Sequence, residues 1–331
     1  MIIVRSPLRV SLLGGGTDLP AFYTKTQGSV VSFALARYIY ITINELAEST
    51  DTLLKYSKLE RVRSVDDIQH PIVRSALKRF EVSGVDISIT SDIPAGTGLG
   101  SSSSFTVGLV KALSEYKGIV LSPAGLAEIA CDIELNDLQE PIGKQDQYAA
   151  SFGGINHFVF HQNGQVTVPE LPEKKALQSC ISECCLLLRV GTVRKSSSIL
   201  AVQSEKLQSG LNLDLMASLV AITEKFCSEL PESVETLGSL LTESWSLKTK
   251  LAEGITNEEI EDALHSAAKF GALGGKLLGA GQSGYILLVF PDSVSRAQYV
   301  KQLSSKTAII VPVIDHNGCK VIFRSEQHGA N

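Results

Sequence analysis

The sequence lacks the features of a membrane protein or a nucleic-acid-binding protein. No apolar run approaches the roughly 18 residues that a membrane-spanning helix needs. The apolar N-terminal segment, residues 1–13, is interrupted by Arg5 and Arg9 and no small-residue cleavage pattern follows it, so it indicates a strand rather than a signal peptide. Lys and Arg number 30 against 35 Asp and Glu. The formal net charge of -5 therefore favours neither nucleic acid nor an anionic membrane as a partner.

Ordered cysteine patterns are also missing. The six cysteines form no CxxC pair and show no metal-ligand spacing, and the histidines show no paired spacing. We therefore expect buried free thiols in a reducing cytoplasm, rather than disulfides or a zinc site. Internal repeats and low-complexity tracts are absent as well.

The length of the chain is sufficient for two domains. Its 331 residues are 44% hydrophobic, which is ordinary for a soluble globular protein. The polar stretch Pro169–Lys175 is the candidate boundary, so we predict an N-terminal domain over residues 1–172 and a C-terminal domain over residues 173–331. The second half has the pattern strand, helices, strand, helix, strand, which predicts an α+β fold. The predicted strands cover about 184–190, 285–290 and 307–314, the helical patterns cover 196–254, 258–270 and 293–304, and residues 271–284 are predicted to be a glycine-rich loop.

A glycine-rich loop between a predicted strand and a predicted helix is the strongest chemical signal. Val85, Ile87 and Ile89 alternate with polar residues as in a strand with one covered face, and the helix after the loop ends near Gly118. Ser122 and Pro123 are typical of an N-cap and a first-turn proline, which predicts a second helix that continues to about Gln139. Glycines let backbone N–H groups converge, and a helix N-terminus adds positive charge, so the loop Pro94–Ser104 predicts phosphate binding. The loop has neither the Gly-Lys-Ser/Thr of a Walker A motif nor the glycine spacing of a Rossmann fingerprint. The candidate phosphate-binding residues are Gly96, Gly98, Leu99, Gly100, Ser101, Ser102 and Ser103.

This loop resembles the phosphate-binding signature of the GHMP kinases, the family of galactokinase, homoserine kinase and mevalonate kinase. Two further segments follow the family's order: Ser6–Asp18 is similar to its N-terminal substrate motif, and Leu273–Gly284 to its C-terminal glycine motif. Gln282 and Ser283 depart from the pattern, because many members carry more glycine there. The resemblance covers nearly the whole chain. It implies an ATP-dependent kinase with an N-terminal domain like domain 2 of ribosomal protein S5 and a ferredoxin-like C-terminal domain.

The resemblance also implies roles for four residues. Asp146 matches the catalytic aspartate that accepts or orients the acceptor's proton, and Arg9 matches the basic residue that stabilises this aspartate and the transferred phosphoryl group. Glu134 matches the glutamate that binds Mg²⁺, and the Ser102 hydroxyl is a second candidate metal ligand. Each residue also has a plainer interpretation: Asp146 could be a helix cap, Arg9 a surface residue and Glu134 half of a salt bridge.

Further residues are predicted to bind the acceptor. A carboxylate at Asp18, after a glycine turn, can accept hydrogen bonds from vicinal hydroxyls, although it could also cap the helix that follows. In galactokinase-like members the matching aspartate binds the sugar. Arg194 and Lys195 could hold a phosphate of the substrate, with Lys144 as the next candidate. The remaining candidates are Gly15, Gly16, Thr17 and Gly281.

Three stretches are most similar to the heptose 7-phosphate kinase branch of the family, namely Gly14–Pro20, Ile142–Tyr148 and Ser244–Lys248. This similarity implies transfer of phosphate from ATP to the anomeric hydroxyl of D-glycero-D-manno-heptose 7-phosphate. The product would be the 1,7-bisphosphate, used to make nucleotide-activated heptose. A kinase of an unphosphorylated sugar such as fucose, or a non-catalytic member that senses sugar and ATP, stays open as an alternative. The protein could also form a homodimer.

Overall fold

The computed structural model describes five segments of the chain: residues 1–46, 49–172, 174–192, 197–228 and 233–325. Arg194 and Lys195, which are predicted to bind a substrate phosphate, lie outside the described residues. Among the helices that are described, none is both long enough and apolar enough to cross a membrane. All six cysteines are free thiols.

The described strands form two sheets. They are β1 (Ile2–Leu13), β2 (Gly28–Glu45), β3 (Thr52–Lys55), β4 (Leu59–Val62), β5 (Val85–Ser91), β6 (Ile155–Phe160), β7 (Val166–Thr167), β8 (Cys185–Val190), β9 (Gly274–Leu277), β10 (Gly284–Val289), β11 (Ile309–Ile310) and β12 (Lys320–Arg324). The larger sheet has the order β12-β1-β2-β5-β3-β4, and β6 pairs with β2 and with β7. The smaller sheet has the order β11-β8-β10-β9. Within these sheets β3 and β5 run parallel and the other described pairs are antiparallel.

The helices pack against these sheets and complete an α+β fold, which confirms the predicted fold class. They are α1 (Pro20–Tyr23), α2 (Pro71–Phe80), α3 (Ser101–Tyr116), α4 (Pro123–Asp132), α5 (Gln145–Phe152), α6 (Lys174–Cys184), α7 (Ser197–Gln208), α8 (Leu213–Ser228), α9 (Val234–Lys248), α10 (Glu258–Lys269) and α11 (Ser293–Gln302). A short 3₁₀ helix covers Val65–Asp67, and a π-helical turn, Ile133–Asp137, continues α4.

The predicted strand, loop and helix around the glycines are confirmed, because β5 ends at Ser91 and α3 begins at Ser101. A serine fixes the start of this helix on the first strand. The hydroxyl of Ser104 lies 2.8 Å from the carbonyl oxygen of Pro7 and 3.2 Å from that of Ser6. Since both carbonyls belong to β1, the helix N-terminus is held beside the strand that carries Arg9.

The second half follows the predicted order of elements with four differences. α6, which precedes β8, was not predicted. β9 lies inside the stretch predicted to be only a glycine loop, because it pairs with β10. The strand predicted over residues 307–314 is reduced to β11, since Pro312 has no N–H to donate to a ladder. β12 was not predicted and pairs with β1, with Phe323 opposite Ile3. The division of the chain after residue 172 stays a prediction.

Glycines bring the phosphate loop against the smaller sheet. The Tyr285 N–H donates to the Thr97 carbonyl at 3.1 Å. Gly98 has φ +79°, and a methyl group on it would lie 2.5 Å from the Leu278 carbonyl oxygen. A methyl group on Gly279 would lie 2.6 Å from the Cα of Gly98. Side chains at these two positions would therefore push the loop away from the sheet.

Candidate active site

A cavity of about 710 Å³ lies where the phosphate loop, the turn after β1 and the start of α5 meet. The structure brings together at this cavity residues that are as far apart in the sequence as Arg9 and Lys276. Twelve of the residues predicted for the site line it: Arg9, Gly15, Gly16, Asp18, Gly96, Gly98, Gly100, Ser101, Ser102, Ser103, Glu134 and Asp146.

The phosphate loop and the start of α3 line one side of this cavity. Gly96, Gly98 and Gly100 have φ values of 75°, 79° and 73°, a conformation that residues with a Cβ rarely adopt. Gly100 is the N-cap of α3, and no side chain caps the helix there. The first N–H groups of a helix have no partner within the helix, so the start of α3 can bind an anion.

Arg9 and Asp146 form a bidentate pair at the centre of the cavity. The Arg9 Nε donates to Asp146 Oδ1 at 2.7 Å, and its Nη2 donates to Asp146 Oδ2 at 2.8 Å. A third bond runs from Arg9 Nη1 to the Gly98 carbonyl oxygen at 2.6 Å. The Asp146 side chain keeps 22% of its surface exposed, against 7% for Arg9. The arginine therefore orients a carboxylate that a ligand in the cavity can still reach.

Asp18 also lines the cavity, beside the start of α5, and is held by backbone groups. Its Oδ1 accepts from the Gly16 N–H at 2.9 Å, and its Oδ2 accepts from the Gln145 N–H at 3.1 Å. Burial, with the negative charge of Asp146, raises the pKa of Asp18 above its ordinary value. A methyl group on Gly143 would lie 1.8 Å from Asp18 Oδ2, so glycine is required there for the carboxylate to occupy this position.

Three buried polar atoms near Asp18 have no hydrogen-bond partner within the described segments. They are Ser11 Oγ, Gln145 Oε1 and Gln203 Nε2, and all three side chains line the cavity. A buried polar group without a partner destabilises a fold by about 1–3 kcal/mol. Such groups on a cavity wall indicate a polar ligand that would satisfy them.

Glu134 is a buried carboxylate with neutral partners. The helix predicted to continue to about Gln139 widens into the π turn Ile133–Asp137, and such turns are frequent at functional sites. The Glu134 oxygens accept from Ser102 Oγ at 3.2 Å and from Gln147 Nε2 at 2.7 Å. Burial, with the charge of Asp146, raises the pKa of Glu134 to about 7 against the effect of these hydrogen bonds. With Ser102, it offers hard oxygen atoms suited to a divalent cation.

Two lysines with no predicted role, Lys248 and Lys276, also lie at the cavity. Lys248, at the end of α9, donates to the Gly279 carbonyl oxygen at 2.6 Å, and Lys276, on β9, donates to the Leu12 carbonyl oxygen at 2.8 Å. Both side chains line the cavity. Burial, then the charge of Arg9, lowers the pKa of Lys248 to about 8. Burial, then the charge of Lys248, holds the pKa of Lys276 well below its usual value.

An aromatic wall beyond the phosphate loop was also missed. The His70 ring lies 5.2 Å from the Phe105 ring and 5.1 Å from the Tyr56 ring, measured between centroids. These side chains line the cavity together with Ile72 and Ile89. Their surface suits a flat ring. They come from separate parts of the chain, so their grouping has no local pattern in the sequence.

Four predicted residues do not line the cavity. The Thr17 hydroxyl lies 2.8 Å from the Gly14 carbonyl oxygen and 2.9 Å from that of Ser29, which ties the turn to β2. The Lys144 ammonium lies 3.0 Å from Glu128 and 2.9 Å from the Gly164 carbonyl oxygen. The others are Leu99, which is fully buried, and Gly281, which packs against Ile255.

The chain is similar to known proteins over most of its length. The model of the GHMP kinases N terminal domain matches residues 69–154, and that of the GHMP kinases C terminal matches residues 220–307. D-glycero-alpha-D-manno-heptose 7-phosphate kinase of Campylobacter jejuni is 30% identical over 322 residues, which cover 93% of this chain and 95% of that protein.

Two solved structures share the fold. A D-glycero-D-manno-heptose 1-phosphate kinase from Bacteroides thetaiotaomicron superposes with a TM-score of 0.72 and 23% identity, over 98% of this chain and 100% of that one. The mevalonate kinase of Methanococcus jannaschii superposes with a TM-score of 0.73 and 20% identity, over 97% of this chain and 98% of that one. At these identities the likeness concerns the fold alone.

Proposed function

The chain belongs to the GHMP kinase family and is an ATP-dependent phosphotransferase with a sugar hydroxyl as acceptor, and on this premise we propose that the acceptor is D-glycero-D-manno-heptose 7-phosphate. The phosphoryl group is transferred to the anomeric hydroxyl, and the product is the 1,7-bisphosphate. The identity of 30% to a heptose 7-phosphate kinase over 93% of the chain is the observation that carries this choice of sugar.

The wall around Asp18 supports a polyhydroxy acceptor. The Asp18 carboxylate can accept hydrogen bonds from hydroxyls, and Ser11 Oγ, Gln145 Oε1 and Gln203 Nε2 have no partner among the described residues. Together they offer both donors and acceptors, as a sugar requires. An apolar acceptor would leave these groups unsatisfied.

Asp146 is proposed to act on the acceptor hydroxyl. The sugar oxygen forms a bond to the γ-phosphorus of ATP while the bond from that phosphorus to the β–γ bridging oxygen breaks, and ADP leaves. The hydroxyl proton passes to the Asp146 carboxylate and then to solvent. Arg9 holds this carboxylate through two hydrogen bonds, and positioning of this kind supplies most of the catalysis in phosphoryl transfer.

Ser102 and Glu134 are proposed to hold Mg²⁺. Their side chains fit a divalent cation, because Glu134 is buried at the cavity and has only neutral hydrogen-bond partners among the described residues. The described part of the chain contains no group of three or more Asp, Glu, His or Cys side chains that could hold a metal ion. Phosphate oxygens of the nucleotide would therefore complete the coordination of Mg²⁺. Mg²⁺ bound here would neutralise phosphate charge.

The test is ADP release from Mg-ATP with a panel of sugars and sugar phosphates. We expect heptose 7-phosphate to give the highest kcat/KM and NMR of the product to place the new phosphate on the anomeric carbon. If an unphosphorylated sugar such as fucose gave a higher kcat/KM, that sugar and not heptose 7-phosphate would be the acceptor. Absence of ADP release with every sugar would favour a non-catalytic sensor of sugar and ATP.

Arg194 and Lys195 remain the proposed site for the remote phosphate of the substrate. Lys144 is the weaker candidate, since Glu128 and the Gly164 carbonyl already bind its ammonium. Replacing Arg194 and Lys195 with alanine should raise the KM for heptose 7-phosphate by tenfold or more per residue, since charged hydrogen bonds contribute about 1.5–3 kcal/mol each. The KM for unphosphorylated heptose should change little, and exposed Lys301→Ala serves as the control. An equal loss with both sugars would remove these residues from the phosphate site.

A further inference from the structure

The ammonium group of Lys248 lies at the cavity and has no role in the reaction as proposed so far. Its Nζ donates to the Gly279 carbonyl oxygen at 2.6 Å, and within the described part of the chain no carboxylate lies within salt-bridge distance of it. An ammonium group has three donors, so two of them are free to bind a ligand. A half-buried lysine that lines a cavity and has no anionic partner indicates that the partner is a ligand.

Arg9 is less free to bind a ligand than its position suggests. Three of its N–H groups are taken by the two Asp146 oxygens and by the Gly98 carbonyl. These three bonds fix the plane of the guanidinium, and they join the carboxylate to the phosphate loop. Arg9 therefore holds Asp146 and the loop in register, and a further side-chain cation would add to the neutralisation of charge on the transferred group that the proposed Mg²⁺ supplies.

The packing of two glycines places Lys248 next to the loop. The carbonyl oxygen that Lys248 binds belongs to Gly279, and a methyl group on Gly279 would lie 2.6 Å from the Cα of Gly98. Gly98 in turn accepts the hydrogen bond from Arg9. The lysine thus reaches the cavity from the smaller sheet's side, where the loop and Asp146 meet.

The charges that face Lys248 come from three other elements. Arg9 on β1 and Lys276 on β9 are cationic neighbours, while Asp18 after β1 and Asp146 on α5 are anionic. Arg9 is already paired with Asp146, so Asp18 is the one remaining carboxylate among these neighbours for two lysines, and part of their positive charge stays unbalanced. A phosphoryl group between the loop and Asp146 would balance it.

We propose that Lys248 is a catalytic residue that binds the phosphoryl group during its transfer from ATP to the sugar. Its ammonium contacts a non-bridging oxygen of that group from the side opposite the start of α3. As the bond to the β–γ bridging oxygen breaks and the bond to the sugar oxygen forms, Lys248 keeps its proton and stabilises the negative charge. The role rests on the proposed kinase activity, but it does not depend on which sugar is the acceptor.

Lys248→Met, which keeps the length of the side chain without its charge, tests this role. We expect kcat to fall about 10²–10³-fold, with the KM values for ATP and for sugar changed less than about threefold, because the contact strengthens in the transition state. Lys248→Arg should recover part of the loss. Lys250→Met is the matched control, since Lys250 is exposed two residues further on and should give wild-type kcat.

Three results would overturn the proposal. The first is a wild-type kcat in Lys248→Met. The second is a raised KM for heptose 7-phosphate with an unchanged KM for unphosphorylated heptose, which would assign Lys248 to the remote phosphate. The third is an equal loss of kcat in Lys248→Met and Lys248→Arg with a lowered melting temperature in both, which would make its role structural. A wild-type enzyme that prefers another sugar would contradict the proposed substrate alone, and the same variants would then be measured with that sugar.

Discussion

Arg9 and Asp146, which are 137 residues apart in the sequence, form two parallel hydrogen bonds of 2.7 and 2.8 Å. Asp146→Asn keeps the shape of this pair but removes the proton acceptor. We expect kcat to fall about 10²–10⁴-fold, the usual contribution of general acid–base catalysis. Binding of ATP, followed by calorimetry, should stay within about twofold of the wild type.

The control for this change is Asp262→Asn, an exposed carboxylate on α10. Its turnover should equal that of the wild type. Near-wild-type turnover in Asp146→Asn would exclude Asp146 from the chemistry. A loss of ATP binding in the same variant would show that the pair with Arg9 mainly shapes the phosphate loop.

The metal site should respond to either of its two proposed ligands. Ser102→Ala and Glu134→Gln each remove or weaken a hard oxygen ligand, so the Mg²⁺ concentration for half-maximal rate should rise by several-fold or more. The rate is measured against free Mg²⁺ at fixed ATP. Ser114→Ala, further along the same helix, serves as the control because its hydroxyl bonds only to the Lys111 carbonyl oxygen among the described residues. An unchanged Mg²⁺ dependence in both variants would place the ion elsewhere.

The pH dependence of kcat/KM should have an alkaline limb set by Lys248. Burial and Arg9 lower its pKa to about 8, so the active ammonium is present below that pH and is lost as pH rises through it. Lys248→Arg should lose this limb, because arginine stays charged throughout the range. The profile of kcat/KM reports the free enzyme. A limb near pH 8 that persists in Lys248→Arg would belong to another group.

Gly143→Ala should weaken sugar binding specifically. The added methyl group would lie 1.8 Å from Asp18 Oδ2, so the carboxylate must move and lose its bonds to the N–H groups of Gly16 and Gln145. We expect the KM for the sugar to rise about tenfold or more, while the affinity for ATP changes little. Gly125→Ala, in the first turn of α4, should be tolerated. A change in the affinity for ATP as large as that in KM would show that α5 itself has shifted.

The parts of the site that could be predicted from the sequence are contiguous segments in which the residues that form the local structure also bind the ligand. The alternation that ends at Ile89, the glycines of the loop and the serine run are contiguous, so one window of sequence describes β5, the loop and α3. Ser122 also caps α4 as predicted, accepting from the Gly125 N–H at 3.1 Å. Such elements depend on backbone geometry and caps, which neighbouring residues determine.

The parts that could not be predicted depend on tertiary packing. Gly274 has poor strand propensity, yet it is the first residue of β9. Glycine is needed there because α9 approaches so closely that a methyl group on Gly274 would lie 2.0 Å from the Gly238 carbonyl oxygen. That contact is what brings Lys248 and Lys276 to one cavity. The π turn at Glu134 is likewise a tertiary effect, since the residues before it continue the helical pattern of α4.

β12 gives the protein a particular order of assembly. It pairs with residues of β1 that are synthesised about 320 residues earlier, and the nearby Asp315 carboxylate accepts from the Tyr38 hydroxyl at 2.9 Å. Until residues 314–324 leave the ribosome, β1, which carries Arg9, therefore has one edge whose N–H and C=O groups are unpaired. Unpaired strand edges promote aggregation. A nascent chain stalled before this point already contains every residue that lines the cavity, yet it would remain a substrate for chaperones rather than a working kinase.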